Sequence, residues 1–373
     1  MRARFLVFTG MALPILAAAD LFAQTSPSPA SSAAVSAKPA VSTTPLPSPS
    51  ASDLLNSLTA ADLQQAIPLL KNNFVNPEAT SEPELTRATM YGLVSRYRQA
   101  VMVLADKNSG PAETTAAFYN EILEGHIGYV RIGSLSSGNL EALDKALRDF
   151  SSKKVDALIV DLRATSFTND YATAAEFAKR FGQKGKTLFT LRKPASRQDR
   201  AFNSDREPAY HGTLVVLADG DTAGPAEALA GAIRFFGKGL VIGQSTAGRA
   251  VEYSDLALPS GKILRIAAAQ AVLPDDKMLF PAGVNPDLPV PMSPADKMEI
   301  FKQSAQKGLS EFIYERSRPH LNEAALIAGT NPELEAAEAA QKRARTGEKL
   351  PPRDVVLQRA LDVVTSLSIY QKR

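Results

Sequence analysis

The feature that most constrains this fold is an alternation of strand-like and helix-like segments between residues 127 and 242. Residues 155–162 and 213–218 are almost continuously apolar, as buried strands of a parallel sheet are. Helical periodicity follows each strand-like segment, at 140–150, 171–181 and 225–236, and residues 127–132 and 240–242 add two more candidate strands. This order predicts an α/β fold in which helices cover a sheet that is at least partly parallel.

Helical periodicity also flanks this core on both sides. Residues 58–70 and 84–104 are predicted to be helices separated by a turn around Pro77, and helix returns from Pro294 onward, with segments at 332–345 and 354–367. Two strands at 251–258 and 263–271 are joined by 259–262, which has the composition of a hairpin turn.

The first 52 residues have a different character. Arg2 and Arg4 precede an apolar stretch at 5–19 that is followed by small residues, the pattern of a signal peptide cleaved after Ala19 or Ala23. The apolar stretch is shorter than the roughly 20 residues that a membrane-spanning helix needs. Residues 24–52 are nearly all Ser, Pro, Ala, Thr and Val and predict a disordered linker. We therefore expect an exported protein, periplasmic or secreted, without a membrane span once the signal is removed.

Composition excludes several functions. The net charge is +3 and no basic run carries interleaved aromatic residues, so nucleic-acid binding has no support. The chain has no cysteine, and His126, His211 and His320 lie far apart without ligand spacing. We predict neither a metal nor a cofactor.

Six motifs in order along the chain resemble those of the tail-specific (C-terminal processing) serine peptidases. They lie at residues 74–78 (FVNPE), 127–132 (IGYVRI), 159–163 (IVDLR), 243–249 (GQSTAGR), 283–290 (GVNPDLPV) and 354–361 (DVVLQRAL). Together they cover residues of about 70–365, and motif order adds specificity that no single motif has.

This resemblance implies a crotonase-like core sheet with covering helices and helical N- and C-terminal extensions. The implied divisions are a signal peptide (1–23), a linker (24–52), a helical N-terminal region (53–124), the tail-specific-protease-like core (125–292) and a helical C-terminal region (293–373). Only about 20 residues separate the N-terminal helices from Gly125, which is too few for the peptide-binding PDZ module that the family often inserts there.

The resemblance also locates a site that has lost its chemistry. The family's nucleophilic serine falls on Gly224, and its lysine base, 25 positions later, falls on Arg249. Glycine has no side chain, and a nucleophile needs a hydroxyl or thiol beside a base. Arginine has a pKa above about 12 and cannot accept a proton near neutrality.

Two more parts of the family's machinery differ. The supporting glutamine falls on Tyr253, and the glycine-rich oxyanion stretch falls on Thr165, Ser166, Phe167 and Thr168. The residues around Gly224 suit a helix start instead, with Gly224 as N-cap, Pro225 in the first position and Glu227 beside the helix dipole. Neighbouring hydroxyls (Thr222, Ser245, Thr246 and Ser254) have no base at matching spacing.

Three functions are compatible with these residues. The first is a non-catalytic relative that binds a polypeptide or partner protein in the envelope, with Arg249 as a possible carboxylate-binding residue. The second is an active serine-type endopeptidase with a rearranged site that acts on protein C-termini. The third is a structural or assembly subunit. The sequence indicates no oligomeric state.

Overall fold

The computed structural model describes residues 51–105, 117–237, 239–313 and 352–371. The predicted signal peptide, most of the linker and the predicted helix at 332–345 lie outside these residues. The chain divides into two compact units, the first ending at Pro77 and the second beginning at Glu78. In the first unit, α1 spans Ala51–Ser57 and α2 spans Ala60–Asn73. A reciprocal capping box between Thr59 and Asp62 fixes the start of α2.

The second unit is built on a six-stranded sheet. Its strands are β2 (Tyr119–Leu123), β3 (Ile127–Arg131), β4 (Ala157–Asp161), β7 (Thr213–Ala218), β8 (Leu240–Gly243) and β11 (Leu288–Pro289). Their order in the sheet is β11-β8-β7-β4-β3-β2. β2 pairs with β3 antiparallel, and every other pairing in this sheet is parallel. The predicted parallel sheet is therefore confirmed.

Both faces of this sheet are covered, which explains its continuous apolar strands. Side chains of one face, such as Val130 and Val160, pack against α4 (Ser137–Ser152), α5 (Tyr171–Ala178) and α6 (Pro225–Gly237). Alternate side chains, such as Ile159 and Leu217, face α8 (Val355–Gln371). Helix α7 (Pro294–Lys307) packs through Ile300 and Phe301 in a smaller cluster.

A second, antiparallel sheet was only partly predicted. Its strands are β1 (Val101–Leu104), β5 (Thr187–Arg192), β6 (Arg200–Asn203), β9 (Val251–Ala257) and β10 (Ile263–Val272). Their order is β1-β10-β5-β6, with β9 also paired to β10. β9 and β10 form the hairpin that the sequence predicted.

The prediction for the N-terminal region was wrong in part. Helix α3 spans Glu82–Tyr97 and does not continue to residue 104, because Val101–Leu104 pairs with β10 as strand β1. The β-branched residues Val101 and Val103 fit a pleated sheet better than a helix interior. The segment 53–124 is consequently not wholly helical, since it contains β1 and β2.

The remaining helices and strands predicted within the described residues are confirmed, with bounds shifted by a few residues. Within those residues, no helix is both long enough and apolar enough to cross a bilayer. The same part of the chain contains no group of carboxylate, imidazole or thiol side chains arranged to hold a metal.

Candidate functional site

Gly224 lies where strand β7 passes into helix α6, the turn predicted to carry the site. Its backbone has φ = +60°, a conformation that residues with side chains rarely adopt. Pro225 is the first residue of α6, and the Glu227 carboxylate accepts a hydrogen bond from the Gly224 N–H at 2.9 Å. The predicted helix start at Pro225 is confirmed.

The side chain of Phe167 fills the space beside Gly224. A Cβ atom built on Gly224 would lie 2.5 Å from Phe167 Cε2, well inside the normal contact distance of about 3.5–4.0 Å between carbon atoms. A serine in this position would have to displace the ring. Phenylalanine at 167 and glycine at 224 are therefore sterically complementary, because the ring occupies the space that a side chain at 224 would need.

Arg249 and Tyr253 converge on the same ring. The guanidinium carbon of Arg249 lies 5.4 Å from the centroid of Phe167, in a cation–π contact, and the Tyr253 ring centroid lies 6.2 Å from it. Arg249 is half-buried, and among the described residues no carboxylate forms an ion pair with it. Gly224, Arg249 and Tyr253, three of the altered positions, therefore meet around Phe167.

Glu227 holds the site together and does more than its predicted role at the helix terminus. Its fully buried carboxylate accepts hydrogen bonds from the N–H groups of Gly224, Gly248 and Arg249 and from the hydroxyl of Thr246. Burial raises the pKa of Glu227, while these donors oppose the shift. Each carboxylate oxygen receives two donors, so this side chain joins the nucleophile-position turn to the base-position loop.

The stretch matching the family's oxyanion loop does not present its first amides to a ligand. The Thr165 N–H bonds to the Leu162 carbonyl, and the Ser166 N–H bonds to the Gly133 carbonyl at 2.8 Å. Phe167 does not have a positive φ, whereas Ala164 has φ = 56°. The N–H groups of Thr165 and Ser166 are thus bonded within the protein, while the family's two glycines fall on Phe167 and Thr168.

The neighbouring hydroxyls of Thr222 and Ser245 are hydrogen-bonded to other groups of the protein. Thr222 Oγ1 donates to the Leu162 carbonyl and accepts from Asp219 N–H, and the exposed Ser245 hydroxyl donates to Asn285. Within the described ranges, no hydrogen bond joins Thr222, Ser245, Thr246 or Ser254 to a lysine or histidine side chain. The pairing of a hydroxyl with a neutral nitrogen base, which the inherited chemistry requires, is absent from these residues.

Two further motifs from the sequence meet beneath the site. Arg163 bonds to Asp161 through 2.6 and 2.9 Å contacts, and it forms a bidentate pair with Asp354 at 2.8 and 3.0 Å. All three side chains are buried. Asp354 also accepts from the Leu357 N–H, so this ion triad fixes the start of α8 against the end of β4.

Comparison with known proteins agrees with the sequence motifs. Residues 126–290 match the model of Peptidase family S41. The core of this chain is therefore similar to Peptidase family S41. The chain is 28% identical over 175 residues to the chloroplastic carboxyl-terminal-processing peptidase 2 of Arabidopsis thaliana, a match covering 47% of this chain and 34% of the relative. It is 23% identical over 181 residues to the carboxy-terminal processing protease CtpB of Bacillus subtilis, covering 48% and 37% of the two chains.

The aligned region is therefore only about a third of the length of these S41 relatives. Among solved structures, a putative peptidase from Parabacteroides merdae is 17% identical with a TM-score of 0.49, over 65% of this chain and 85% of that one. The photosystem II D1 C-terminal processing protease is 23% identical with a TM-score of 0.39, over 51% and 48% of the two chains.

Proposed function

We propose that this chain is a non-catalytic S41 protein that binds a polypeptide or a partner protein in the cell envelope. The observation that carries the proposal is the Phe167 ring, which fills the space a side chain at 224 would need and lies under the Arg249 guanidinium. An arginine there cannot serve as a general base, and among the described residues no hydroxyl is hydrogen-bonded to its guanidinium. The envelope location rests on the signal-like N-terminal sequence.

Arg249 is the residue we propose for ligand binding. A guanidinium that is half-buried, stacked on an aromatic ring and without an ion-pair partner among the described residues is suited to bidentate binding of a carboxylate. A peptide with a free C-terminus or an acidic side chain would supply that group. The occluded nucleophile position leaves such a peptide bound and uncut.

One observation favours the alternative of a rearranged hydrolase. The Thr246 hydroxyl lies 2.5 Å from Glu227 Oε1, which pairs a hydroxyl with a carboxylate close to the family's site. Both groups are buried, and Thr246 Oγ1 also accepts from the Val284 N–H at 2.8 Å. A nucleophile must be open to substrate, so we interpret this pair as structural.

Two assays on the purified full chain test the proposal. We expect no cleavage of casein or of fluorogenic peptides with free C-termini. Cleavage that disappears in Thr246→Ala would establish the rearranged hydrolase instead. We also expect the double variant Gly224→Ser with Arg249→Lys to remain inactive, because Phe167 and the altered loop at 165–168 persist; turnover by this variant would show that the loop does not block the inherited chemistry.

The second assay measures binding to an array of decapeptides that have either free or amidated C-termini. Arg249→Gln should weaken the preference for free carboxylates about tenfold, the order expected for a lost charge-assisted hydrogen bond. Arg148→Gln, at an exposed arginine of α4, is the matched control. No binding to any peptide, together with no cleavage, would favour a structural or assembly subunit.

A further inference from the structure

Strand β9 begins two residues after Arg249 and is an edge strand. Among the described strands it is hydrogen-bonded to β10 alone, and residues from Asp255 to Ala257 are exposed. Edge strands expose backbone groups that can pair with another chain, and proteins usually protect them. The part of β9 nearest to Arg249 is protected in an unusual way.

The side chain of Asn169 bonds to both backbone groups of Tyr253 in β9. The Tyr253 N–H donates to Asn169 Oδ1 at 3.2 Å, and Asn169 Nδ2 donates to the Tyr253 carbonyl at 3.4 Å. One amide thus supplies an acceptor and a donor to one strand residue, as the backbone of an adjoining strand does. The Asn169 side chain therefore takes the place of a peptide backbone at this edge.

From this arrangement, and resting on the proposed function, we infer that an extended polypeptide adds to the outer edge of β9 and displaces the Asn169 amide from Tyr253. The two bonds lie at the long end of the hydrogen-bond range, and Asn169 is exposed, so a competing backbone can replace them. Main-chain pairing of this kind gives affinity with little dependence on sequence.

A single peptide can pair with the outer edge of β9 and contact the Arg249 side chain. The Arg249 guanidinium and the Tyr253 ring both lie against Phe167. A peptide whose carboxylate lies at Arg249 would therefore have the outer edge of β9 beside it. Asn169 lies two residues after Phe167, so its displacement acts on the same loop that fills the nucleophile position.

The experiment uses the tightest-binding decapeptide from the array and a series of its variants, each N-methylated at one backbone nitrogen. Strand pairing directs alternate N–H groups toward β9, so methylation should weaken binding at least about tenfold at every second position and less than about twofold between. Asn169→Ala should tighten binding about threefold to tenfold, since it removes the competing amide. Asn203→Ala, which removes an exposed amide from edge strand β6, should leave binding unchanged.

Each result decides the inference. Alternating sensitivity together with a gain in Asn169→Ala supports strand addition. Binding that is insensitive to methylation, or unchanged in Asn169→Ala, overturns the β9 site while the proposed peptide binding stands. Absence of binding by every variant overturns the proposed function and this inference together. Concentration-dependent dimerisation of Asn169→Ala in sedimentation, without peptide, would show that the occupant is a second copy.

Discussion

The steric relation between Gly224 and Phe167 gives the sharpest test of this site. Gly224→Ala places a methyl group where the new Cβ lies 2.5 Å from Phe167 Cε2, at a residue with φ = +60°. The backbone conformation costs about 1–2 kcal/mol for a residue with a side chain. Overpacking against the ring adds about 1–3 kcal/mol. We expect a loss of about 2–5 kcal/mol in the free energy of unfolding.

Two other glycines separate these contributions. Gly261 has φ = +79° and open space around its Cβ position, so Gly261→Ala measures the backbone cost alone. Gly220 lies before the same turn, without a positive φ and without a neighbour within 4 Å, so Gly220→Ala should cost little. The predicted order of destabilisation is Gly224→Ala, then Gly261→Ala, then Gly220→Ala.

A double-mutant cycle isolates the contact with the ring. In a Phe167→Ala background, Gly224→Ala should retain only its backbone cost, which gives a coupling free energy of about 1–3 kcal/mol between the two positions. Urea unfolding followed by circular dichroism measures all four forms. Equal costs of Gly224→Ala in both backgrounds would refute the conclusion that Phe167 occupies the nucleophile position.

Three further predictions concern hydrogen-bonded charged groups, two of them buried and one partly exposed. Arg163→Met leaves two buried carboxylates without their cation and should cost about 3–5 kcal/mol in unfolding free energy. Glu227→Gln supplies one acceptor oxygen where four donors converge, and we expect about 2–4 kcal/mol of destabilisation with weaker peptide binding, read from urea unfolding and the decapeptide assay. Asp144→Asn should cost about 1–2 kcal/mol at pH 7, because Arg180 holds the pKa of that carboxyl below its usual range; the cost should vanish as pH falls through that lowered value, where wild-type Asp144 is protonated too.

Exposed ion pairs provide the controls for these variants. Asp149→Asn breaks an exposed pair with Lys153 on the same helix as Asp144 and should change stability by less than about 1 kcal/mol. The Glu252 carboxylate pairs with Arg200 and, among the described residues, is not surrounded by several donors. Glu252→Gln therefore measures the cost of replacing a glutamate by an amide at a simple ion pair. If Asp144→Asn lost the same stability at every pH, the ion pair with Arg180 would not explain its effect.

The first sheet could be predicted because its signal is local. Strands β4 and β7 are apolar along their whole length, since helices cover both faces, and each is followed by a recognisable helix. Strands β5 and β6 carry mixed side chains and pair with each other, and β5 also pairs with β10, where Arg192 lies opposite Gln270. The sequence of β5 and β6 alone does not show this pairing.

The site, like the fold, was predicted only in part from the sequence. The motif spacing led us to expect Gly224 and Arg249 at one location, and both lie beside the Phe167 ring. The reach of Glu227 to residues 246–249 and the pairing of Asn169 with Tyr253 were not predicted. Asparagine and glutamate are ordinary residues in such positions, and only the folded backbone shows which groups they meet.

The positions that depart from the family's pattern are separate in the sequence but lie together in the structure. In the sequence, changes at 167, 224, 249 and 253 are separate losses. In the structure, the Phe167 ring occupies the space beside Gly224, lies beneath the Arg249 guanidinium and packs against Tyr253. We therefore expect that restoring a serine at 224 alone does not rebuild the inherited site, because its side chain would meet the Phe167 ring.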